Sequence, residues 1–202
     1  HGQIEGFRER YGMEYRRARW EEPADEGLVE RHRREIFPLL HRRRQFAEAA
    51  EFLLYEAGQG GTVADSIFAY SNRVEGQASL VVYNNRYEAA SGWVYRSVPY
   101  LDKKAGGLRT RHLGEGLGLR GGHDDFVVFR EHPDGREYLR RSRDLCEQGL
   151  LVDLSGYECR VFLDFSEVAD RTGVYAVLAS RLGGGPVPSV AAAVADLRTE
   201  PA

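Results

Sequence analysis

From Glu51 onward the chain changes texture, and that change limits the fold more than any other feature. The runs "EFLLYEA", "DSIFAYSN", "ASLVVYNN" and "GWVYRSVPY" follow one another at short intervals. Each is rich in β-branched and aromatic residues, and turns such as Gly58-Gln-Gly-Gly61 and Glu75-Gly76 separate them. Such spacing predicts antiparallel β structure, a meander or a sandwich. A long loop from Asp102 to Asp125 comes next, with a strand inside it around Leu108–His112. The strand "DFVVFRE" and a turn at His132-Pro-Asp-Gly135 follow. "LLVDLSGYECRVFLDF" predicts two strands paired through a hairpin at Ser155-Gly156. Between them "REYLRRSRDLCEQG" predicts one inserted helix. Tyr138, Leu139, Ser142, Leu145 and Cys146 share its face, and Gly149 stands where a C-terminal glycine cap belongs.

The flanks are helical. Asp25 can cap a helix that runs from Leu28 to about residue 49, with Leu28, His32, Ile36, Leu39, Arg43 and Phe46 on one stripe. Pro38 should kink it. That stripe needs a neighbour to cover it. Two short helices close the chain, one over Val174–Leu182 and one from Pro188-Ser189 to Leu197 with Ser189 as N-cap. Residues 1–25 are aperiodic, with glycines and aromatics close together, and read as an ordered loop. No internal repeat is visible.

The 202 residues can hold one good core, or one domain and part of another. At 42% hydrophobic and 29% charged, the composition is that of a soluble globular chain. No apolar run approaches the roughly 20 residues of a membrane helix. The formal net charge of −3 gives no global pull toward nucleic acid or anionic lipid, so neither is expected as a partner. "RHRREIFPLLHRRR" is basic, but Glu30 and Glu35 interrupt it and Glu21, Glu22, Asp25 and Glu26 precede it, so a solvated helix face is expected. Cys146 and Cys159 sit among apolar residues and read as two buried free thiols; a disulfide would require their segments to pair.

Several residue clusters suggest chemistry, and each has a plainer reading. Gly116-Leu-Gly-Leu-Arg-Gly121 matches the dinucleotide fingerprint in form. That motif needs a helix after it, whose N-terminus holds the pyrophosphate, and here a strand follows. A flexible glycine-rich loop is the expectation, with no cofactor. His123-Asp124-Asp125 cannot all face one ion from an extended strand, so no metal site is expected. No Ser-His-Asp arrangement and no nucleophile elbow are legible. Trp93 lies in a strand run, where a tryptophan is more often core than a sugar platform.

The order of segments resembles a known family. "LVERHRREIFPLLHRRRQFAEAAEFLLYEA", "SIFAYSN" and "ASLVVYNN" are similar in order to the end of α-amylase-type enzymes, glycoside hydrolase family 13. Leu40-His41-Arg42 takes the place of that family's last barrel-helix pattern. Phe68-Ala69-Tyr70-Ser71-Asn72-Arg73 and Leu80-Val81-Val82-Tyr83-Asn84 take the places of its next two strand patterns. Gly2, Gln3 and Glu5 are similar to a stretch just after the eighth barrel strand, with one extra residue. "FRE", "REYLRRS" and "CEQGLLVDLSGYECRVFLDFSEV" look like the enlarged C-terminal region of one amylase-like subfamily.

The resemblance implies an architecture. Residues 1–50 would be the last loop and helix of a (β/α)8 barrel, 51–170 an antiparallel β-sandwich domain with one inserted helix, and 171–202 a helical tail. It implies a retaining glycosidase acting on α-glucans or related oligosaccharides, whose two carboxyls stand about 5 Å apart at the barrel mouth. Those carboxylates fall on strands before His1, so no residue here is assigned as catalytic, and this chain alone is expected to be inactive. The missing barrel would be its partner within one longer polypeptide, and carbohydrate would reach it through that parent. Barrel sites form from the loops that follow the strands. His1, Gln3, Glu5, Tyr11, Arg16, Arg17 and Trp20 are therefore candidates for the substrate rim. The alternative is a carbohydrate-binding or scaffolding β-sandwich without chemistry. A leader missing from a fragment says little of the parent's compartment; the cytoplasm is the working expectation.

Overall fold

A computed structural model describes residues 2–9, 20–103 and 106–199. The chain divides into two compact units, His1–Arg43 and Arg44–Ala202.

In the first unit, helix α1 (Glu26–Glu35) begins where the sequence predicts. The Asp25 side chain accepts a hydrogen bond from the Leu28 amide at 3.0 Å, the usual means of satisfying a free N-terminal donor. Glu26 opens the helix and His32, Arg33 and Arg34 close it, each sign at the favourable end of the helix dipole. The single kinked helix expected to residue 49 is instead three short pieces. Helix α2 (Phe37–His41) restarts after Ile36, and helix α3 (Arg43–Ala47) after Arg42. Pro38 explains the first break. Its ring would clash with the carbonyl four residues back, whereas in the first turn of α2 its missing N–H costs nothing. Neither α1 nor α2 has a buried residue, and Ile36 and Leu40 are 43% and 56% exposed.

The second unit is mainly antiparallel β. Its strands are β1 (Leu53–Gln59), β2 (Thr62–Val63), β3 (Ile67–Val74), β4 (Gln77–Asn84) and β5 (Ala90–Ser97). A two-stranded hairpin, β6 (Tyr100–Asp102) with β7 (Gly107–Arg109), stands apart. Then come helix α4 (Leu113–Leu117), β8 (Asp125–His132), β9 (Glu137–Arg141), helix α5 (Ser142–Glu147), β10 (Leu150–Leu154) and β11 (Cys159–Ala169). Helices α6 (Val174–Leu182) and α7 (Val190–Thr199) end the chain as expected, and Ser189 caps α7 through the Ala192 amide. The main sheet runs β10-β5-β1-β3-β4-β11-β8-β9, with β2 beside β1. Among the described residues no helix is long and apolar enough to cross a membrane.

That strand order forces the sheet to curl. β10 and β11 are consecutive in sequence but five places apart in the sheet. In a flat sheet five places span about 24 Å. The five Cα steps from Leu154 to Cys159 reach at most about 18 Å. The sheet therefore bends back on itself and brings β10 against β4. Asn84, fully buried, clasps the closure. Its Nδ2 donates to the Glu88 carbonyl at 2.7 Å and the Ser155 carbonyl at 2.9 Å, and its Oδ1 accepts from the Arg86 amide at 3.2 Å.

Two local expectations are corrected. The turn at Ser155-Gly156 exists, but the strands it joins do not pair with each other. β11 is taken on both sides, by β4 over Cys159–Leu163 and by β8 over Val161–Ala169, which leaves β10 to pair with β5. The predicted inserted helix begins as strand β9 and turns helical only at Ser142. Tyr138 and Leu139 are expected to share a helix face. On β9 they point opposite ways, and both ways are buried. Tyr138 stacks on Phe129 (centroids 5.3 Å apart) in the main core, while Leu139 joins Phe126, Leu178, Val190 and Val194 under α6 and α7. A strand covered on both faces loses the alternation that would reveal it. Gly149, at φ +84°, does end α5 as expected, in the left-handed conformation that glycine tolerates best.

Candidate functional site

The expected rim segment is only partly described. His1, Tyr11, Arg16 and Arg17 lie outside the described residues. Gln3, Glu5 and Trp20 lie within them. Gln3 is exposed in a run of turns, and Glu5 is half-buried. Carboxylates and backbone amides stitch the segment together. Glu22 accepts from the amides of Arg8 (2.7 Å) and Glu9 (3.0 Å). Glu9 accepts from the Trp20 amide at 3.1 Å, and the Asp25 amide donates to the Glu5 carbonyl at 2.8 Å. Residues 2–9 are thus fastened alongside residues 20–25.

This fastening frames a cleft of ≈ 560 Å³, lined by Gly6, Arg8, Trp20, Glu22, Pro23, Ala24 and Asp25. Trp20 is 62% exposed in it, an unusual position for the largest apolar side chain. An exposed indole beside a guanidinium and a carboxylate suits a ligand with one apolar face and a polar edge. Gln3 and Glu5 do not line this cleft. Arg8 and Glu22 do, and the sequence reading missed them. No periodic pattern links positions 8 and 22; only the cross-chain hydrogen bonds bring them together.

The glycine fingerprint proves to be packed rather than flexible. Residues 113–117 form α4, with Leu113 and Leu117 buried. The His112 amide donates to Glu115 at 2.9 Å, one half of a capping box. A Cβ at Gly114 would overlap Cys146 Sγ, and one at Gly116 would overlap the Tyr55 hydroxyl. The amides of Arg120 and Gly121, at the end of the fingerprint, do cradle an anion, but it is the carboxylate of Glu167. Glu167 accepts from Arg120 N at 3.0 Å, Gly121 N at 3.3 Å, Arg120 Nε at 3.0 Å and the Ser142 hydroxyl. The donors a phosphate would need are already used.

The other polar clusters brace the sheet. Glu131, Arg160 and Tyr138 form a closed triangle across β8, β11 and β9. Arg160 holds Glu131 through Nε (2.5 Å) and Nη2 (2.8 Å), and the Tyr138 hydroxyl donates to Glu131 at 2.5 Å. Glu51 bridges Arg73 (3.1 Å) and Arg111 (3.0 Å), which places Arg73 in an ion-pair network. Burial pushes the Glu51, Glu131 and Glu167 carboxyls up, but hydrogen bonds from these arginines, from Tyr138 and from Ser142 outweigh it and hold all three below the ordinary range. Glu35 is also held down, by hydrogen bonds from Arg31 and Arg34. A glycosidase general acid requires the opposite shift.

Among the described residues no three His, Cys, Asp or Glu side chains gather as metal ligands would. His123 and Asp124 bond each other at 2.8 Å in an exposed turn. Both cysteines are free, as expected, yet they are not both buried. Cys146 is half-buried beside Gly114 and Gly121, and Cys159 is exposed at the start of β11. Comparison with protein-family models and with curated proteins returns no match.

Proposed function

We propose that this chain is the C-terminal portion of an α-amylase-type glycosidase acting on α-glucans or related oligosaccharides. In this reading the curled sheet is the family's β-sandwich domain, and residues 1–50 are the last loop and helix of a (β/α)8 barrel. The retaining chemistry belongs to carboxylates of that barrel, and the cleft at Trp20 forms part of the rim that holds the sugar. The exposed Trp20, held beside Arg8 and Glu22, carries the proposal. An indole face stacks on the C–H face of a pyranose, while guanidinium and carboxylate take its hydroxyls. The exposed Ile36, at the break between α1 and α2, and Leu40 in α2 add support as apolar side chains left open to a partner.

Kinetics of the longer polypeptide test this. Trp20→Ala should lower kcat/KM on maltoheptaose about tenfold, mainly through KM, the loss of roughly 1.4 kcal/mol of binding. Unchanged KM and kcat would remove the rim assignment. A non-catalytic carbohydrate-binding or scaffolding β-sandwich module is the second reading. It gains if the segment preceding His1 lacks the family's catalytic Asp and Glu, and if the longer polypeptide then binds maltoheptaose without cleaving it.

A further inference from the structure

Trp93 is not a core residue. On either side of Trp93 in β5, Gly92 and Val94 are buried and face the interior, and Trp93 lies between them on the opposite face, half-buried. Directly paired residues in an antiparallel sheet share a face. Trp93 pairs with Leu151 of β10 on one side and with Gly58 of β1 on the other. Two residues along, Ser91 pairs with Asp153 on the same outer face. Leu151 is 42% exposed, and Ser91 and Asp153 are exposed. Asp153 makes no ion pair among the described residues, unlike the carboxylates that brace the sheet.

The chemistry along this edge is ordered. An indole and a leucine sit side by side, flanked on one side by a glycine that adds no bulk. About 7 Å further on, two residues of rise, come the Ser91 hydroxyl and the Asp153 carboxylate, which forms no ion pair among the described residues. Past them a groove of ≈ 300 Å³ opens, lined by Ala89, Ala90, Ser91, Asp153, Leu154 and Ser155. That volume is the lower bound for ligand pockets. The groove is also held still. The Asn84 clasp fixes both loops at its end, through Glu88 and Ser155.

We infer that the outer face of the β5–β10 edge is a second saccharide-binding platform, separate from the Trp20 cleft. Trp93 stacks on one pyranose ring, and Ser91 and Asp153 hydrogen-bond the hydroxyls of the next. A sugar chain offers that alternation itself, with apolar ring faces and polar rims. A peptide strand added to the β10 edge would instead pair through backbone groups and would not need Asp153.

The chain has two tryptophans, one at each site, so fluorescence separates them. The Trp20→Phe variant leaves Trp93 as sole reporter, and Trp93→Phe leaves Trp20. Titrating Trp20→Phe with maltoheptaose and, separately, cellohexaose should give a saturable emission change with at least one of them. Adding Asp153→Ala to that variant should weaken the affinity at least fivefold, and Asp153→Asn, which keeps an acceptor, should restore part of it. Both positions are exposed, so the circular dichroism spectrum and Tm should stay close to those of the parent. No saturable change up to about 10 mM of either glucan, or binding indifferent to Asp153→Ala, overturns the inference. So does an emission shift that follows protein concentration rather than sugar, which would make this face a self-association surface. The Trp93→Phe titration reports the Trp20 cleft independently, so failure of one site is not read as failure of the other.

Discussion

Replacing Gly116 by alanine should destabilise the chain by about 2 kcal/mol, and the reason lies in what α4 rests on. A Cβ there would overlap the Tyr55 hydroxyl and come within 3.0 Å of Leu53 Cδ1 and Ser71 Oγ. Tyr55 and Ser71 share a buried hydrogen bond of 2.7 Å. Burial pushes the Tyr55 hydroxyl up to about 12, so it is neutral at any ordinary pH and the conflict is steric. Overpacking typically costs about 1–3 kcal/mol. A hydroxyl pushed off its partner loses about 1 kcal/mol more. Alanine returns about 1 kcal/mol through its better helix propensity. The net of about 2 kcal/mol should lower Tm by roughly 4–8 °C for a chain of this size. Thermal melts followed by circular dichroism measure it, and a second background makes the test specific. In Tyr55→Phe the overlapping atom is gone, so Gly116→Ala should cost under about 1 kcal/mol, a coupling of at least about 1 kcal/mol. A Tm at or above that of the parent would restore the flexible-loop reading of the fingerprint. An equal drop in both backgrounds would refute the contact with Tyr55.

Two further outcomes follow from buried polar groups. Glu131 is held below its ordinary 4.5 because the hydrogen bonds from Arg160 and Tyr138 outweigh burial. A carboxyl depressed in the folded state stabilises fully above its unfolded pKa, and that contribution is lost as pH falls through the folded value. Tm should therefore decline below about pH 4.5, and Glu131→Gln should lower Tm at pH 7 while flattening that acid decline; an unchanged slope between pH 5 and 3 would discount the triangle. Asn84→Ala removes two donors and one acceptor from the strap that closes the sheet. Losing these three hydrogen bonds should cost about 2–3 kcal/mol, seen as a lower urea midpoint, and an unchanged midpoint would show that the curl does not depend on the clasp.

The strand runs were legible where one face is buried and the other wet. β1 alternates in burial, Leu53, Tyr55 and Ala57 inward with Leu54 and Glu56 outward, although it holds no β-branched residue and Tyr55 is its one aromatic side chain. β9 was illegible for the opposite reason, since helices α6 and α7 bury its second face. Pairing was harder still. The Ser155-Gly156 turn looks like a hairpin, and nothing local says that its two strands belong five places apart. Only the competition of β4 and β8 for β11 decides it, and that is a long-range property. Asn72 and Asn84, which lie within the two strand runs that carry the family resemblance, hold chain segments together. Asn72 Nδ2 donates to the Glu48 carbonyl at 2.5 Å, and Asn84 straps the curl.

The two tryptophans show what a sequence can say about a site. The resemblance puts Trp20 on a rim, and in the structure it is exposed and lines a cleft. A tryptophan in a strand is usually core, and Trp93 is expected there. Its sequence neighbours argue otherwise. Gly92 and Val94 are the residues able to face a crowded interior, Gly92 because a Cβ there would come within 2.9 Å of the Gly58 amide. Period-two alternation then sends Trp93 outward with Ser91. What the sequence could not supply was the company it keeps there. Leu151 and Asp153 come from a strand nearly sixty residues later, and they reach Trp93 only because β10 was left to pair with β5. The platform is therefore a consequence of the curl. A substitution that unfastened the curl without touching Trp93, Ser91 or Asp153 should weaken it too, which ties Asn84 to binding as well as to stability.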